Sequence, residues 1–150
     1  MQIHGLNKTT LLDYPEHVAC TVFCGHCNFR CPFCQNADLV LNPASQPYIP
    51  AEEFWSFLDK RKGMLEGVCI TGGEPTLQTD LIDFISQIKA RGLLVKLDTN
   101  GYRPEVLGAL LGDFEDIPLE KSAYQLLPIY KVEPNPDQPR QDFDEEELEA

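Results

Sequence analysis

Short apolar runs and longer segments with helical spacing alternate along the first 111 residues of the chain. The apolar runs are rich in β-branched residues, which is typical of buried strands. Strands are therefore predicted at 17–23, 67–71 and 93–99. In the longer segments proline, acidic residues or glycine mark the ends of stretches with helical periodicity. Helices are therefore predicted at 51–62, 80–91 and 104–111.

This alternation predicts an α/β fold, because strands that alternate with helices form parallel sheets with right-handed crossovers. The segment 37–50 is predicted as a loop because it holds three prolines. A last strand is predicted at 124–132, where Pro128 would confine it to a sheet edge. Residues 133–150 hold eight acidic residues and one basic residue, so we expect a disordered, solvated tail after a domain formed by residues 1–132.

Length and composition narrow the class of protein. A chain of 150 residues with 43% hydrophobic residues is sufficient for one domain with its own core. Its net charge of -12 disfavours nucleic acid as a partner, since phosphate backbones attract basic surfaces. The sequence has no run of about 18 apolar residues that would predict a membrane span, and its N-terminus is too polar for a secretory signal. We therefore expect a cytoplasmic protein.

Chemically unusual loops follow each of the three predicted strands. A cysteine-rich run comes after the first strand, Gly-Gly-Glu-Pro (72–75) after the second and Asp-Thr-Asn-Gly (98–101) at the end of the third. The carboxyl ends of parallel strands meet at one edge of a sheet, where sites gather in this architecture. The sequence therefore predicts a single site formed by these three loops.

The cysteine run allows two interpretations. Of the six cysteines, Cys24, Cys27, Cys31 and Cys34 fall within eleven residues, and four thiolates could close a zinc site or an iron–sulfur cluster. Zinc ribbons place about 15–20 residues between their cysteine pairs, whereas only three residues separate Cys27 from Cys31. The spacing therefore disfavours a zinc ribbon. Alternatively, Cys27, Cys31 and Cys34 alone hold a [4Fe-4S] cluster and leave one iron open, as catalytic metal sites do.

The CxxxCxxC spacing, with Phe33 just before the last cysteine, resembles the signature of radical S-adenosylmethionine enzymes. More closely, the chain is similar to the activating proteins of anaerobic ribonucleoside-triphosphate reductase. The similar stretches are GLNKTTLLDYP (5–15), CNFRCPFCQN (27–36), KRKGMLEGVCITGGEPTLQ (60–78) and VKLDTNG (95–101). The resemblance covers roughly residues 3–111 and implies a parallel α/β barrel of the radical S-adenosylmethionine type.

The resemblance also implies a function. Cys27, Cys31 and Cys34 would ligate a [4Fe-4S] cluster whose open iron binds S-adenosylmethionine. After reduction by a donor such as flavodoxin or ferredoxin, the cofactor would be cleaved to a radical that takes a hydrogen atom from a glycine of the reductase. The protein would hold these cofactors in place and keep water away.

Further residues are assigned to the cofactor site. Gly72 and Gly73 would let the backbone approach a ligand closely, and Glu74 would supply a carboxylate for the ligand's ammonium group. The alternative for this loop is a plain strand-to-helix turn. Asp98 and Thr99 would lie near the cofactor, or form only a turn with local hydrogen bonds. The side chain of Phe33 would pack beside the cluster or the adenine, or in the core.

Two departures from the family pattern keep alternatives open. Gly25 and His26 stand where the family usually has Gln-Gly, and Cys24 precedes them as a possible fourth ligand that would exclude the cofactor. After about residue 111 the family's later strands are not recognisable, so the barrel is expected to be truncated. The alternatives are therefore a four-cysteine electron-transfer or structural module, and an inactive fragment that binds the reductase.

Overall fold

A computed structural model describes residues 1–112, which form one mixed four-stranded sheet with helices packed against it. The strand order is β1-β2-β3-β4; β1 is antiparallel to β2, whereas β2, β3 and β4 are mutually parallel. The strands are β1 (Ile3–Thr10), β2 (Ala19–Cys24), β3 (Gly67–Gly72) and β4 (Leu94–Leu97). The helices are α1 (Ala37–Leu41), α2 (Ala51–Lys60), α3 (Leu81–Ala90) and α4 (Pro104–Gly112), with 3-10 turns at Pro43–Ser45 and Pro75–Leu77.

The core lies between one face of the sheet and the helices α2 and α3. Alternate residues of a strand point to the same face, and on this face Val22 of β2 pairs with Ile70 of β3. Both side chains are fully buried and belong to the same core cluster as Phe54 of α2 and Phe84 of α3. The rings of Phe54 and Phe84 stack at a centroid distance of 5.2 Å. Burial of this apolar face is what holds the helices on the sheet, since apolar area removed from water is the main driving force of folding.

The opposite face of the sheet is more polar. Thr21 of β2 and Cys69 of β3 are paired in register and buried on this face. The Thr21 hydroxyl donates a hydrogen bond of 2.5 Å to Asp13, which belongs to the connection between β1 and β2. Lys96 of β4 is beside Cys69 and forms an ion pair with Asp98. This face therefore holds hydrogen-bonding and charged side chains, whereas the other face holds the apolar core.

Within residues 1–112 the predicted strands and helices are confirmed to within a few residues, but two elements were missed. The three predicted strands are parallel as expected, but the sheet is mixed, because the unpredicted β1 adds an antiparallel edge strand. Its polar residues and two register shifts, between Ile3 and Gly5 and between Asn7 and Thr10, hide the strand pattern in the sequence. The prediction of a loop throughout 37–50 is also wrong, because α1 forms a short helix there before the first proline.

The remaining sequence-based predictions concern residues 113–150 and lie outside the described part of the chain. They are the edge strand at 124–132, the acidic tail at 133–150 and the domain boundary between them. Within residues 1–112, no helix is long and apolar enough to cross a membrane.

Candidate cofactor site

Three loops meet at the carboxyl edge of the parallel strands, as predicted. β2 leads into the cysteine run, β3 into the Gly-Gly-Glu-Pro loop and β4 into the Asp-Thr-Asn-Gly loop. β2 and β3 end level with each other, since Cys24 pairs with Gly72, and β4 ends two residues earlier, since Leu97 pairs with Ile70. The register of the sheet therefore places the three loops side by side.

The six cysteines fall into two groups. The buried cysteines, Cys20, Cys24 and Cys69, lie within β2 and β3 with no exposed surface. Burial raises the pKa of each of these thiols to about 12, so without a metal they are neutral at pH 7. The loop cysteines, Cys27, Cys31 and Cys34, follow β2 and are exposed or half-buried. All six are free of disulfides.

This division bears on the number of cluster ligands. Cys24 belongs to β2, pairs with Gly72 of β3 and is enclosed on all sides. Cys27 is only three positions later but has already left the sheet. The structure therefore separates Cys24 from the loop cysteines, and it favours the interpretation with three ligands over the one with four.

Backbone contacts hold the local geometry of the cysteine loop. The amide of Phe29 donates to the Cys27 sulfur at 3.3 Å, and the amide of Cys34 donates to the Cys31 carbonyl at 3.1 Å. The Arg30 guanidinium donates to the Cys27 carbonyl at 2.7 Å. These bonds shape the chain between the cysteines.

The glycines of the second loop allow it to pack against the cysteine loop. The Gly73 amide donates to the Cys24 carbonyl and the Glu74 amide to the His26 carbonyl, both at 2.7 Å. A Cβ atom on Gly73 would lie 1.9 Å from the His26 oxygen, which no side chain could tolerate. Gly72 has a φ of +108°, a conformation that glycine adopts readily. The close approach is thus to the neighbouring loop; approach to a ligand stays a prediction.

Glu74 joins the second and third loops. Its side chain is buried, and its carboxylate accepts hydrogen bonds from the Thr76 amide at 3.0 Å and hydroxyl at 2.5 Å, the Thr99 hydroxyl at 2.7 Å and the Asn100 amide at 2.7 Å. Burial by itself would raise the pKa of Glu74, but the hydrogen bonds from Asn100, Thr76 and Thr99 outweigh it and lower the pKa. A buried negative charge therefore lies at the centre of the site.

The two residues predicted from the third loop have different surroundings. Thr99 contacts Glu74, so these two predicted site residues are brought together. The Asp98 carboxylate instead contacts Lys96 and accepts a bond of 3.4 Å from the Cys69 thiol. Asp98 is thus partnered by residues of the polar sheet face.

Sequence reasoning missed the asparagines that join the first and third loops. The Asn100 side-chain amide donates to the Asn28 side-chain oxygen at 3.0 Å and contacts the Cys27 sulfur at 3.8 Å. Both asparagines lie inside motifs that the sequence analysis quoted. Their 72-residue separation left no local signal for the pairing.

The cysteine loop itself carries two aromatic side chains, Phe29 and Phe33. Phe33 is 83% exposed, so the expectation that it packs in the core is wrong, and its ring is accessible to a ligand. Phe29 meets Tyr102 edge to face at a centroid distance of 6.1 Å, which adds a contact between the first and third loops.

The donor groups of the site suit a cluster better than a single metal ion. Within residues 1–112, no three His, Cys, Asp or Glu side chains converge closely enough to hold one metal ion. Ligands of an iron–sulfur cube bind different irons and need not converge on one point. Three free cysteines on one accessible loop fit that requirement.

A family model for the radical SAM superfamily matches residues 21–127. The chain belongs to the radical SAM superfamily. Members of this superfamily use a [4Fe-4S] cluster and S-adenosylmethionine, for which the loop cysteines supply suitable ligands. The match begins in β2 and includes all three loops of the site.

Individual relatives agree with the family. A Methanocaldococcus jannaschii protein named as a glycyl-radical enzyme activating enzyme is 34% identical over 110 residues, which cover 73% of this chain and 44% of the relative. A pyruvate formate-lyase-activating enzyme of Listeria monocytogenes is 32% identical over 107 residues, covering 67% of this chain and 42% of the relative. A GTP 3′,8-cyclase of Mannheimia succiniciproducens is 38% identical over 88 residues, which cover 53% of this chain and 24% of the relative. The chain thus spans less than half the length of these relatives.

Proposed function

We propose that this radical SAM chain is an activating enzyme that generates a glycyl radical on anaerobic ribonucleoside-triphosphate reductase. The observation that carries the proposal is the separation of three accessible loop cysteines from three buried ones, with Asn100 linking Cys27 to the buried Glu74 carboxylate. The names of two relatives support an activating enzyme. The stretches 5–15 and 95–101, which resemble the reductase activating proteins, support the target. The four-stranded sheet would be part of a truncated α/β barrel.

The loop cysteines would hold three irons of the cluster and leave the fourth for the amino and carboxylate groups of S-adenosylmethionine. Gly72, Gly73 and Glu74 would face the methionine part, with Asp98 and Thr99 near the cofactor and Phe33 beside the adenine. When bound, these cofactors supply reductive cleavage of a carbon–sulfur bond and abstraction of a hydrogen atom from a partner glycine. A reducing protein such as flavodoxin or ferredoxin would provide the electron.

Residues of the chain prepare the site for this ligand. Glu74 keeps a negative charge at the carboxyl edge, and a negative charge favours the ammonium group of an amino acid ligand. Hydrogen bonds from Thr76, Thr99 and Asn100 hold that carboxylate in place, so it needs no reorganisation when the ligand binds. The exposed ring of Phe33 offers a flat apolar surface to a base.

Metal binding tests the ligand assignment. We would reconstitute the full chain with iron and sulfide under anaerobic conditions and measure iron per chain for Cys27→Ala, Cys31→Ala and Cys34→Ala. Each is expected to lose most of the cluster, whereas the matched variant Cys24→Ala should retain it. Equal loss in Cys24→Ala would instead support the four-cysteine module.

Turnover tests the activity and the target. The reduced, reconstituted chain is expected to cleave S-adenosylmethionine to 5′-deoxyadenosine and to produce a glycyl radical signal on the reductase by electron paramagnetic resonance. Pyruvate formate-lyase serves as the comparison substrate. A radical on that enzyme alone would overturn the proposed target, and binding of the reductase without cleavage would support the inactive fragment.

A further inference from the structure

A continuous path of hydrogen bonds runs from the Gly-Gly-Glu-Pro loop through the Asp-Thr-Asn-Gly loop to Cys27, the first of the three loop cysteines. The Glu74 carboxylate accepts from the Asn100 backbone amide at 2.7 Å. The Asn100 side-chain amide then donates to Asn28 at 3.0 Å and contacts the Cys27 sulfur at 3.8 Å. Asn100 is therefore held on one side by a buried charge and reaches a loop cysteine on the other.

The orientation of the Asn100 amide follows from its remaining bond. Its side-chain oxygen accepts from the Tyr102 backbone amide at 3.0 Å. With the oxygen occupied there, the NH₂ group must face the cysteine loop, where Asn28 offers an acceptor. The Cys27 sulfur thus lies next to two N–H donors, one from Asn100 and one from the Phe29 backbone at 3.3 Å.

Donors beside a ligating sulfur affect the electron affinity of a cluster. A cluster gains a negative charge on reduction, and N–H groups that point at its sulfurs stabilise the reduced form, which raises the reduction potential. We infer that Asn100 is a positioning residue that orients Cys27 and raises the reduction potential of the cluster that Cys27 ligates. This inference rests on the proposed function, because it requires a cluster on the loop cysteines.

Two variants separate the effect of the Asn100 N–H donor at Cys27 from the effect of the turn that Asn100 forms with Tyr102. Asn100→Ala removes both the N–H donor and the acceptor for Tyr102. Asn100→Ser retains a side-chain oxygen that can accept from the Tyr102 amide, but its side chain is too short to reach Cys27. For both variants we expect the ratio of reduced to oxidised cluster at a fixed potential to fall about tenfold, equivalent to about 59 mV for a one-electron couple.

The measurement is an anaerobic redox titration of the reconstituted full chain, followed by electron paramagnetic resonance of the reduced cluster. Gln87→Ala is the control, since it deletes an exposed side-chain amide on α3 whose hydrogen-bond partner within residues 1–112 is Asp83, and its potential should be unchanged. An unchanged potential in both Asn100 variants would overturn the inference. So would a shift in Asn100→Ala that Asn100→Ser does not share, because the turn alone would then explain it.

Iron content distinguishes failure of the inference from failure of the proposed function. If Cys27→Ala binds as much iron as the unmodified chain, Cys27 is not a ligand and the proposed function itself fails. If iron depends on Cys27 while the Asn100 variants titrate at the original potential, only the role of Asn100 is refuted. If both Asn100 variants fold but lose iron that Gln87→Ala retains, Asn100 positions Cys27 for cluster binding, in agreement with the inference.

Discussion

Replacement of Glu74 by glutamine should destabilise the fold, because this carboxylate links two of the three loops. One carboxylate oxygen accepts from Thr76 and Thr99 and the other accepts from the Asn100 amide. Glutamine keeps the first oxygen but places an NH₂ group against the Asn100 N–H. Two donors then face each other in a buried position, and each unsatisfied buried group costs about 1–3 kcal/mol.

We therefore expect Glu74→Gln to lower the free energy of unfolding by about 2–4 kcal/mol at pH 7. The assay is urea denaturation followed by circular dichroism. The control is Glu52→Gln, which changes an exposed residue in the first turn of α2 and should cost at most about 1 kcal/mol. Equal losses in the two variants would refute the view that Glu74 is a structural link.

The pH dependence of stability provides an independent check. Because the pKa of Glu74 is lower in the folded chain than its ordinary value of 4.5, its ionised form contributes stability above that value. This contribution is lost as the pH falls through the lowered pKa of the folded state. The difference between the original chain and Glu74→Gln should therefore shrink below about pH 4.5 and be largest near neutrality. A difference that stays constant down to acid pH would contradict the assigned charge.

Three further predictions concern strain, thiol accessibility and the core. His26 has a φ of +67°, so His26→Gly should raise the free energy of unfolding by up to about 1 kcal/mol in urea; a loss of stability would contradict backbone strain there. Iodoacetamide at pH 8 should modify the loop cysteines of the cluster-free folded chain and spare the buried ones, as mass spectrometry would show; rapid labelling of a buried cysteine would contradict the assigned burial. Phe84→Ala should cost about 3–5 kcal/mol because Phe84 stacks on Phe54 in the core, whereas Ser86→Ala on the exposed side of α3 should cost far less in the same denaturation assay.

Apart from the short helix α1, the sequence by itself determined the order of strands and helices from β2 to α4 and the three loops that form the site. These features depend on local signals, namely apolar periodicity, glycine and proline positions and cysteine spacing, all of which act over a few residues. The family resemblance depended on the same short motifs, and the comparison with known proteins confirmed it. Parallel strand order then sufficed to place the three loops at one edge.

Only the tertiary structure decided how each side chain in those loops is used. Cys24 and Cys27 belong to the same cysteine run of the sequence. In the structure, however, Cys24 is buried within the sheet, whereas Cys27 lies in the accessible loop that follows it. Glu74 and Asn100 are in contact although 26 residues separate them, and β1 pairs with β2 despite its polar sequence. Burial and long-range hydrogen bonds depend on which segments the fold brings together, and neither is encoded in the spacing of nearby residues.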